Sequence, residues 1–158
     1  MNFLAEFHPH IVHFPIAFFI LYAILEILGI IFKNKFLNKA AFVLLAAGVF
    51  TAVLAVLTGN QADEGARELL KNGYKFSEQT LEEHETYATI SLWFFTGILF
   101  LKIYVTIKKL QETGIKYLFI ILALLGSFFI YETAAHGGEM VYKYGIGTEA
   151  VEKQYRIE

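Results

Sequence analysis

Histidine is the side chain in this sequence best suited to chemistry, and its five copies are unevenly placed. Three of them lie in the stretch HPHIVHFP at positions 8–15, which also holds both prolines of the chain. The other two each lie near an end of an apolar segment. Neutral imidazole is the commonest metal ligand in proteins. The candidate ligand set is therefore His8, His10, His13, His84 and His136.

Other kinds of functional site lack their usual residues. The sequence has no cysteine, which excludes disulfides, thiolate metal sites, iron–sulfur clusters and covalently attached haem c. It also contains no phosphate-binding loop, no nucleophile elbow and no basic patch suited to nucleic acid. We therefore assign no catalytic residue and expect no nucleic-acid partner.

Four apolar segments must position the histidines. The 158 residues are 56% hydrophobic and 16% aromatic, whereas soluble domains are about 45–50% apolar. Each segment approaches the roughly 20 helical residues that cross a bilayer. We predict one domain of the all-α class, an integral membrane protein whose four transmembrane helices form an antiparallel, up-down-up-down bundle. The predicted spans are about 11–32, 40–59, 81–107 and 117–136, with an extracytoplasmic connection at 60–80 and a surface tail at 137–158.

The lysines predict how this bundle is oriented. The connections 32–40 and 102–116 each carry a net charge of +3, whereas segment 60–85 carries −4. Positively charged connections stay on the cytoplasmic side of a membrane. We therefore expect a multi-pass protein of the bacterial inner membrane with both termini outside. All five histidines would then lie at its outer face.

Local signals in the spans lead to four further expectations. We expect the first helix to begin near Pro9 and to kink at Pro15, or alternatively to begin near Phe14 and leave residues 8–13 as irregular backbone at the interface. Gly137 and Gly138 should end the fourth helix. Glu26 should lie near the inner interface, as a solvated carboxylate or alternatively as a buried acid that handles protons. The sequence shows no internal repeat.

Paired histidines without cysteine suit haem b, which two axial imidazoles can hold without a covalent link. Because helices 1 and 3 can be diagonal in such a bundle, His13 and His84 are the first choice of axial pair. His136 could ligate a second haem with His8 or His10, or bond a propionate. One haem, possibly two, is therefore expected.

Two alternatives to haem remain open. The histidines could bind a bare zinc, copper or iron ion, with oxygen ligands from nearby acids, namely Glu82, Glu83, Glu85 and Glu132. They could also serve only as interfacial anchors of a structural membrane subunit.

Several motifs resemble a known family. HPxxVHFPIA at 8–17, LTG at 57–59, His84 at the start of a span and GGxxVYxxGIG at 137–147 are similar to the bacterial membrane family called domain of unknown function 2231. The resemblance covers nearly the whole chain. Members of the family resemble small four-helix b-type cytochromes, and some are fused to Rieske or c-cytochrome modules. The resemblance thus implies electron transfer with haem b and marks His8, His13 and His84 as family positions.

The resulting hypothesis is a haem-b-binding electron-transfer subunit rather than a stand-alone enzyme. It would pass electrons between a periplasmic redox protein and quinol or another membrane subunit, within a lipid bilayer. The alternative functions are the binding or transport of a divalent metal ion, or a purely structural role.

Overall fold

The computed structural model describes residues 4–110 and 113–151, most of which are helical. After a 3-10 turn at Ala5–Phe7, the helices are α1 (His8–Ile11), α2 (His13–Ile31), α3 (Lys35–Lys71), α4 (Glu78–Ile107) and α5 (Thr113–Tyr142). Four helical stretches, counting α1 and α2 as one, are long and apolar enough to cross a membrane. The predicted all-α, four-helix membrane fold is confirmed.

The four long helices pack in a ring. α2 contacts α3, α3 contacts α4, α4 contacts α5, and α5 returns to α2. All neighbours in the ring are therefore antiparallel, and α2 and α4 lie diagonally opposite. We call the end that holds His8, His84 and His136 the histidine end. The opposite end, where α2 and α4 finish among lysines, is the lysine end.

The two prolines explain how the first helix begins and why it is interrupted. It begins at His8 with Pro9 in its first turn, where the missing N–H is not needed. Pro15 has no N–H to donate to the carbonyl of Ile11, four residues earlier. The helix is interrupted at Val12, between α1 and α2. The expected start near Pro9 is confirmed, and the irregularity lies one turn before Pro15.

Two helices run further than their apolar segments. α3 continues past residue 59 to Lys71, and α5 continues through both expected terminating glycines to Tyr142. The expectation that Gly137 and Gly138 end the last helix is therefore wrong. The chain leaves the helix three residues before Gly145, which has a positive φ of 67°, and the Ile146 N–H donates to the Met140 carbonyl at 3.0 Å. That conformation suits a helix C-terminus.

Two stacked phenyl rings fill the centre of the bundle. Phe19 of α2 and Phe95 of α4 lie with centroids 3.8 Å apart and planes 6° apart, and both are buried. Each ring rests on a glycine of the following helix. A Cβ built at Gly48 would lie 2.6 Å from the Phe19 ring, and one at Gly126 would lie 2.5 Å from the Phe95 ring. Because Gly48 and Gly126 have no side chains, the rings of Phe19 and Phe95 can meet in the core between the diagonal helices α2 and α4.

These contacts reveal an internal repeat that the sequence pattern did not show. Phe95 lies 76 positions after Phe19, and Gly126 lies 78 positions after Gly48. The hairpin made by α1 to α3 and the hairpin made by α4 and α5 therefore use equivalent positions for equivalent contacts. Because α2 and α4 run in the same direction, the two hairpins are related by an approximate two-fold axis along the bundle. The expectation of no internal repeat is wrong.

Candidate ligand site at the histidine end

His8, at the start of α1, is fixed by the backbone of α3. Its Nδ1 lies 3.1 Å from the carbonyl oxygen of Ala55 and 3.1 Å from the hydroxyl of Thr58. A carbonyl can only accept, so Nδ1 carries the proton and Nε2 keeps its lone pair. The ring lies against Gly59, where a Cβ would come within 2.9 Å of Cε1. The glycine of the LTG motif therefore leaves the space that the imidazole ring occupies.

His84, in the second turn of α4, is held in the same way by α5. Its Nδ1 donates to the carbonyl of Thr133 at 2.9 Å. A Cβ at Gly137 would lie 3.0 Å from Cε1 and 3.2 Å from Nδ1 of this ring. Gly137 lies inside α5, and its lack of a side chain leaves room for the imidazole ring.

The arrangement around His8 and His84 repeats with the same offsets as the core. The two histidines are 76 positions apart, and the two carbonyls that hold them, those of Ala55 and Thr133, are 78 apart. Gly59 and Gly137 are also 78 apart. Each hairpin thus contributes one imidazole with an oriented Nδ1–H, and the two imidazoles occupy equivalent places about the two-fold axis.

The two equivalent imidazoles meet across the diagonal of the bundle. Their ring centroids lie 6.5 Å apart, with planes at 84°. Both residues are half-buried. A metal held between two Nε2 atoms separates the ring centroids by roughly 6 Å, because each metal–nitrogen bond is about 2 Å long. Imidazoles that ligate a metal usually donate their other N–H to a carbonyl or carboxylate, as both rings do here. The centroid distance and the two Nδ1–H donors are those expected of two imidazoles that could ligate one metal ion.

His136 lies next to this pair but uses both of its ring nitrogens. Nδ1 is 2.7 Å from the carbonyl oxygen of Glu132, and Nε2 is 3.0 Å from the carboxylate of Glu83. The ring also stacks on Tyr87, with centroids 5.5 Å apart. Two acceptors require two protons, one on each nitrogen or one on Glu83. In this arrangement His136 contributes a proton-bearing group rather than a metal ligand.

His10 and His13 lie apart from this cluster. Both are exposed, and within the described ranges 4–110 and 113–151 neither makes a side-chain hydrogen bond, ion pair or ring contact. The ring that approaches His84 belongs to His8. The structure therefore brings together three of the five predicted ligands, and the diagonal pair it forms is His8 with His84 rather than His13 with His84.

Two of the four acids predicted as oxygen ligands, Glu83 and Glu85, have other partners. Glu83 pairs with His136, and Glu85 pairs with Arg67 at 3.0 Å. Arg67 also binds Asp63 at 2.8 Å. Within the part of the chain that the structure describes, no three His, Cys, Asp or Glu side chains are grouped as a metal site. The donor set therefore suits a metal centre that needs only two protein ligands.

Sequence reasoning missed the groups that orient the imidazoles. The carbonyls of Ala55 and Thr133 carry no sequence signature, because every residue has a carbonyl. The two glycines were visible in the LTG and GG motifs, and their 78-residue offset matches that of Gly48 and Gly126. Comparison of the two halves at these offsets would have paired His8 with His84.

Comparison with known proteins gives one match. Residues 5–150 match the model of a family described as "Predicted membrane protein (DUF2231)". No curated protein matches the sequence. No solved structure matches it either.

Proposed function

Because the chain belongs to the DUF2231 family of predicted membrane proteins, whose description names no activity, we propose a function from its own residues. The protein is a membrane electron-transfer subunit that binds one haem b between His8 and His84. The observation that carries this proposal is the equivalent pair of imidazoles, each with Nδ1 bonded to a main-chain carbonyl and with centroids 6.5 Å apart.

The chemistry of the donors favours haem over a bare ion. A porphyrin fills four positions around its iron and leaves two axial positions for protein side chains. A structural zinc site, by contrast, uses four protein ligands and a catalytic one uses three. Two free Nε2 atoms with no third ligand grouped beside them in the described ranges match the first requirement.

The protein's own groups would hold and tune this centre. Haem supplies one-electron redox chemistry. The Ala55 and Thr133 carbonyls fix the imidazole planes and raise the basicity of Nε2 through their hydrogen bonds. Ala52 and Ile130 are both buried, one turn before Ala55 in α3 and one turn before Thr133 in α5. They keep the interior of the bundle beside the site apolar. His136, paired with Glu83, places an imidazole beside His84. The first hairpin has no such imidazole beside His8, because Thr58 occupies the position equivalent to His136.

The place of the site in the bundle suits exchange of electrons with a soluble protein. His8 and His84 lie at the histidine end, where their helices reach the aqueous phase. By the positive-inside rule, the lysine end faces the cytoplasm and the histidine end faces outward across the bacterial inner membrane. The electron partners are then a periplasmic redox protein on one side and quinol or another membrane subunit on the other.

Spectra of ligand variants test the proposal. After expression with a supply of haem, the purified protein should show a Soret band and, on reduction, the α band of a low-spin b-type centre. His8→Ala and His84→Ala should each lose the low-spin spectrum. His10→Ala in α1 and His13→Ala in α2 are the control variants and should keep it. Loss of the low-spin spectrum in His13→Ala but not in His8→Ala would overturn the assigned pair.

A further inference from the structure

A buried polar cluster at the lysine end takes no part in the haem site. Glu26 of α2 and Lys102 of α4 meet across the bundle, with Oε2 2.5 Å from Nζ. Their side chains are 3% and 12% exposed. The expectation that Glu26 is a solvated carboxylate is therefore wrong, and it is the buried acid of the alternative. Glu26 and Lys102 are 76 positions apart, so they occupy equivalent places in the two hairpins.

The cluster has more hydrogen-bonding capacity than its members satisfy. An ammonium group has three donors. Lys102 forms an ion pair with Oε2 of Glu26, but this oxygen has no hydrogen-bond partner of suitable geometry among the residues that the structure describes. The ring of Phe119 lies 4.6 Å from Nζ and compensates part of the charge, as cation–π contacts do. Tyr22, one turn before Glu26, is 0% exposed. Its hydroxyl has no hydrogen-bond partner within 4–110 and 113–151.

The cluster lies close to the aqueous phase at the lysine end. Glu26 is five residues before the end of α2, and Lys102 is five residues before the end of α4. At 1.5 Å per residue, these positions are about 7–8 Å from the helix ends. On the other side, Phe19 lies one turn before Tyr22 and stacks on Phe95. An apolar barrier therefore separates the cluster from the histidine end.

We propose that Glu26, Lys102 and Tyr22 form a water-binding site that exchanges protons with the solution at the lysine end. Buried water typically makes about three hydrogen bonds to polar groups that otherwise lack partners. The Lys102 ammonium, the Tyr22 hydroxyl and the Glu26 carboxylate supply both donors and acceptors for it. The Phe19–Phe95 pair closes the site toward the histidine end, so protons enter and leave on the same side.

Hydroxyl-radical footprinting of the whole protein in detergent tests this site without requiring haem. Radicals formed from bound water modify the aromatic rings beside it. After each rate is divided by the intrinsic reactivity of its side chain, Tyr22 should be modified several-fold faster than Phe19 and Phe95, which are equally buried but have no polar group to hold water. Modification of Tyr22 as slow as that of the two phenylalanines would overturn the proposal.

A paired variant tests whether the charges hold the water. In Glu26→Gln/Lys102→Met the ion pair is removed from both sides, which avoids leaving one buried charge alone. The rate at Tyr22 should fall to that of Phe95, while the rates at exposed rings such as Tyr131 stay unchanged and report a retained fold. A Tyr22 rate that stays high in a folded paired variant would overturn the assignment of the water to Glu26 and Lys102.

Discussion

At the scale of single residues, the hydrogen-bond partners of each histidine decide what it can do. In the described part of the chain, His8 and His84 each use only Nδ1 in hydrogen bonds and donate from it to a main-chain carbonyl, so Nε2 of each keeps its lone pair. His136 has an acceptor at both nitrogens. Residue type alone cannot distinguish these cases, which is why the sequence placed all five histidines in one ligand set.

The imidazole of His84 requires a glycine at position 137. Gly137→Ala would place a Cβ 3.0 Å from Cε1 of His84, whereas Gly138→Ala meets only Tyr142, at 3.9 Å. Both changes remove a helical glycine, which by itself stabilises a helix by about 0.5–1 kcal/mol. We expect Gly137→Ala to weaken or abolish the low-spin spectrum and Gly138→Ala to leave it unchanged. Equal effects in absorption spectra of the two variants would contradict the role given to Gly137.

At the scale of helices, contact between neighbours depends on two glycines in the middle of α3 and α5. Gly48 and Gly126 support the stacked rings of Phe19 and Phe95, and neither leaves room for a methyl group. Small residues at such positions let membrane helices approach closely. The sequence shows these two glycines, but it does not show which side chain lies against each of them, because that depends on how the helices pack.

Alanine at Gly48 should therefore destabilise the bundle. Its Cβ would lie 2.6 Å from Cε1 of Phe19, and overpacking of this kind costs about 1–3 kcal/mol. Gly97→Ala is the matched control, since nothing lies within 4 Å of its Cβ. Thermal unfolding in detergent should show a lower midpoint for Gly48→Ala and an equal or slightly higher one for Gly97→Ala. A midpoint for Gly48→Ala at or above that of the unchanged protein would refute the close contact.

At the scale of the whole molecule, residues at equivalent positions of the two hairpins contact each other along the centre of the bundle. The three pairs are His8 with His84, Phe19 with Phe95, and Glu26 with Lys102. Only the last pair differs in charge. Two copies of the same hairpin would bring two Glu26 or two Lys102 side chains together. The ion pair therefore favours association of the first hairpin with the second.

The two-fold relation predicts that this ion pair can be exchanged. Glu26→Lys or Lys102→Glu alone puts like charges together, and a broken buried pair costs about 3–5 kcal/mol. The double exchange restores opposite charges at equivalent places. We expect it to recover most of the unfolding midpoint lost in either single variant. If the midpoint of the double variant falls by the sum of the two single-variant decreases, positions 26 and 102 are not equivalent in the two hairpins.

Orientation in the membrane can be read with single cysteines, because the chain has none of its own. Lys75 lies in the connection after α3 and Lys108 follows α4, and both are exposed. In intact cells stripped of an outer membrane, an impermeant maleimide should label Lys75→Cys but reach Lys108→Cys only after lysis. The reverse pattern would place the histidine end in the cytoplasm.

Much of the fold could be predicted from the sequence, since four apolar segments of bilayer length leave few arrangements. The site was predicted less completely. The sequence indicated that histidines of different helices share one end of the bundle, but it favoured His13 over His8 as the partner of His84. Rotation about the helix axis is set by packing and by the break at Val12, which the pattern does not show. The repeat was hidden because only a few positions carry it, namely those that meet between the hairpins at offsets of 76 and 78 residues.

The haem content of the unchanged protein tests the central claim most directly. Purified after growth with excess haem precursor, it should contain one haem b per chain, low-spin in both oxidation states, because His8 and His84 form one axial pair and His136 has no free nitrogen. A folded protein that contains no haem would contradict the account. Two haems per chain would contradict the assignment of His8 and His84 to a single centre.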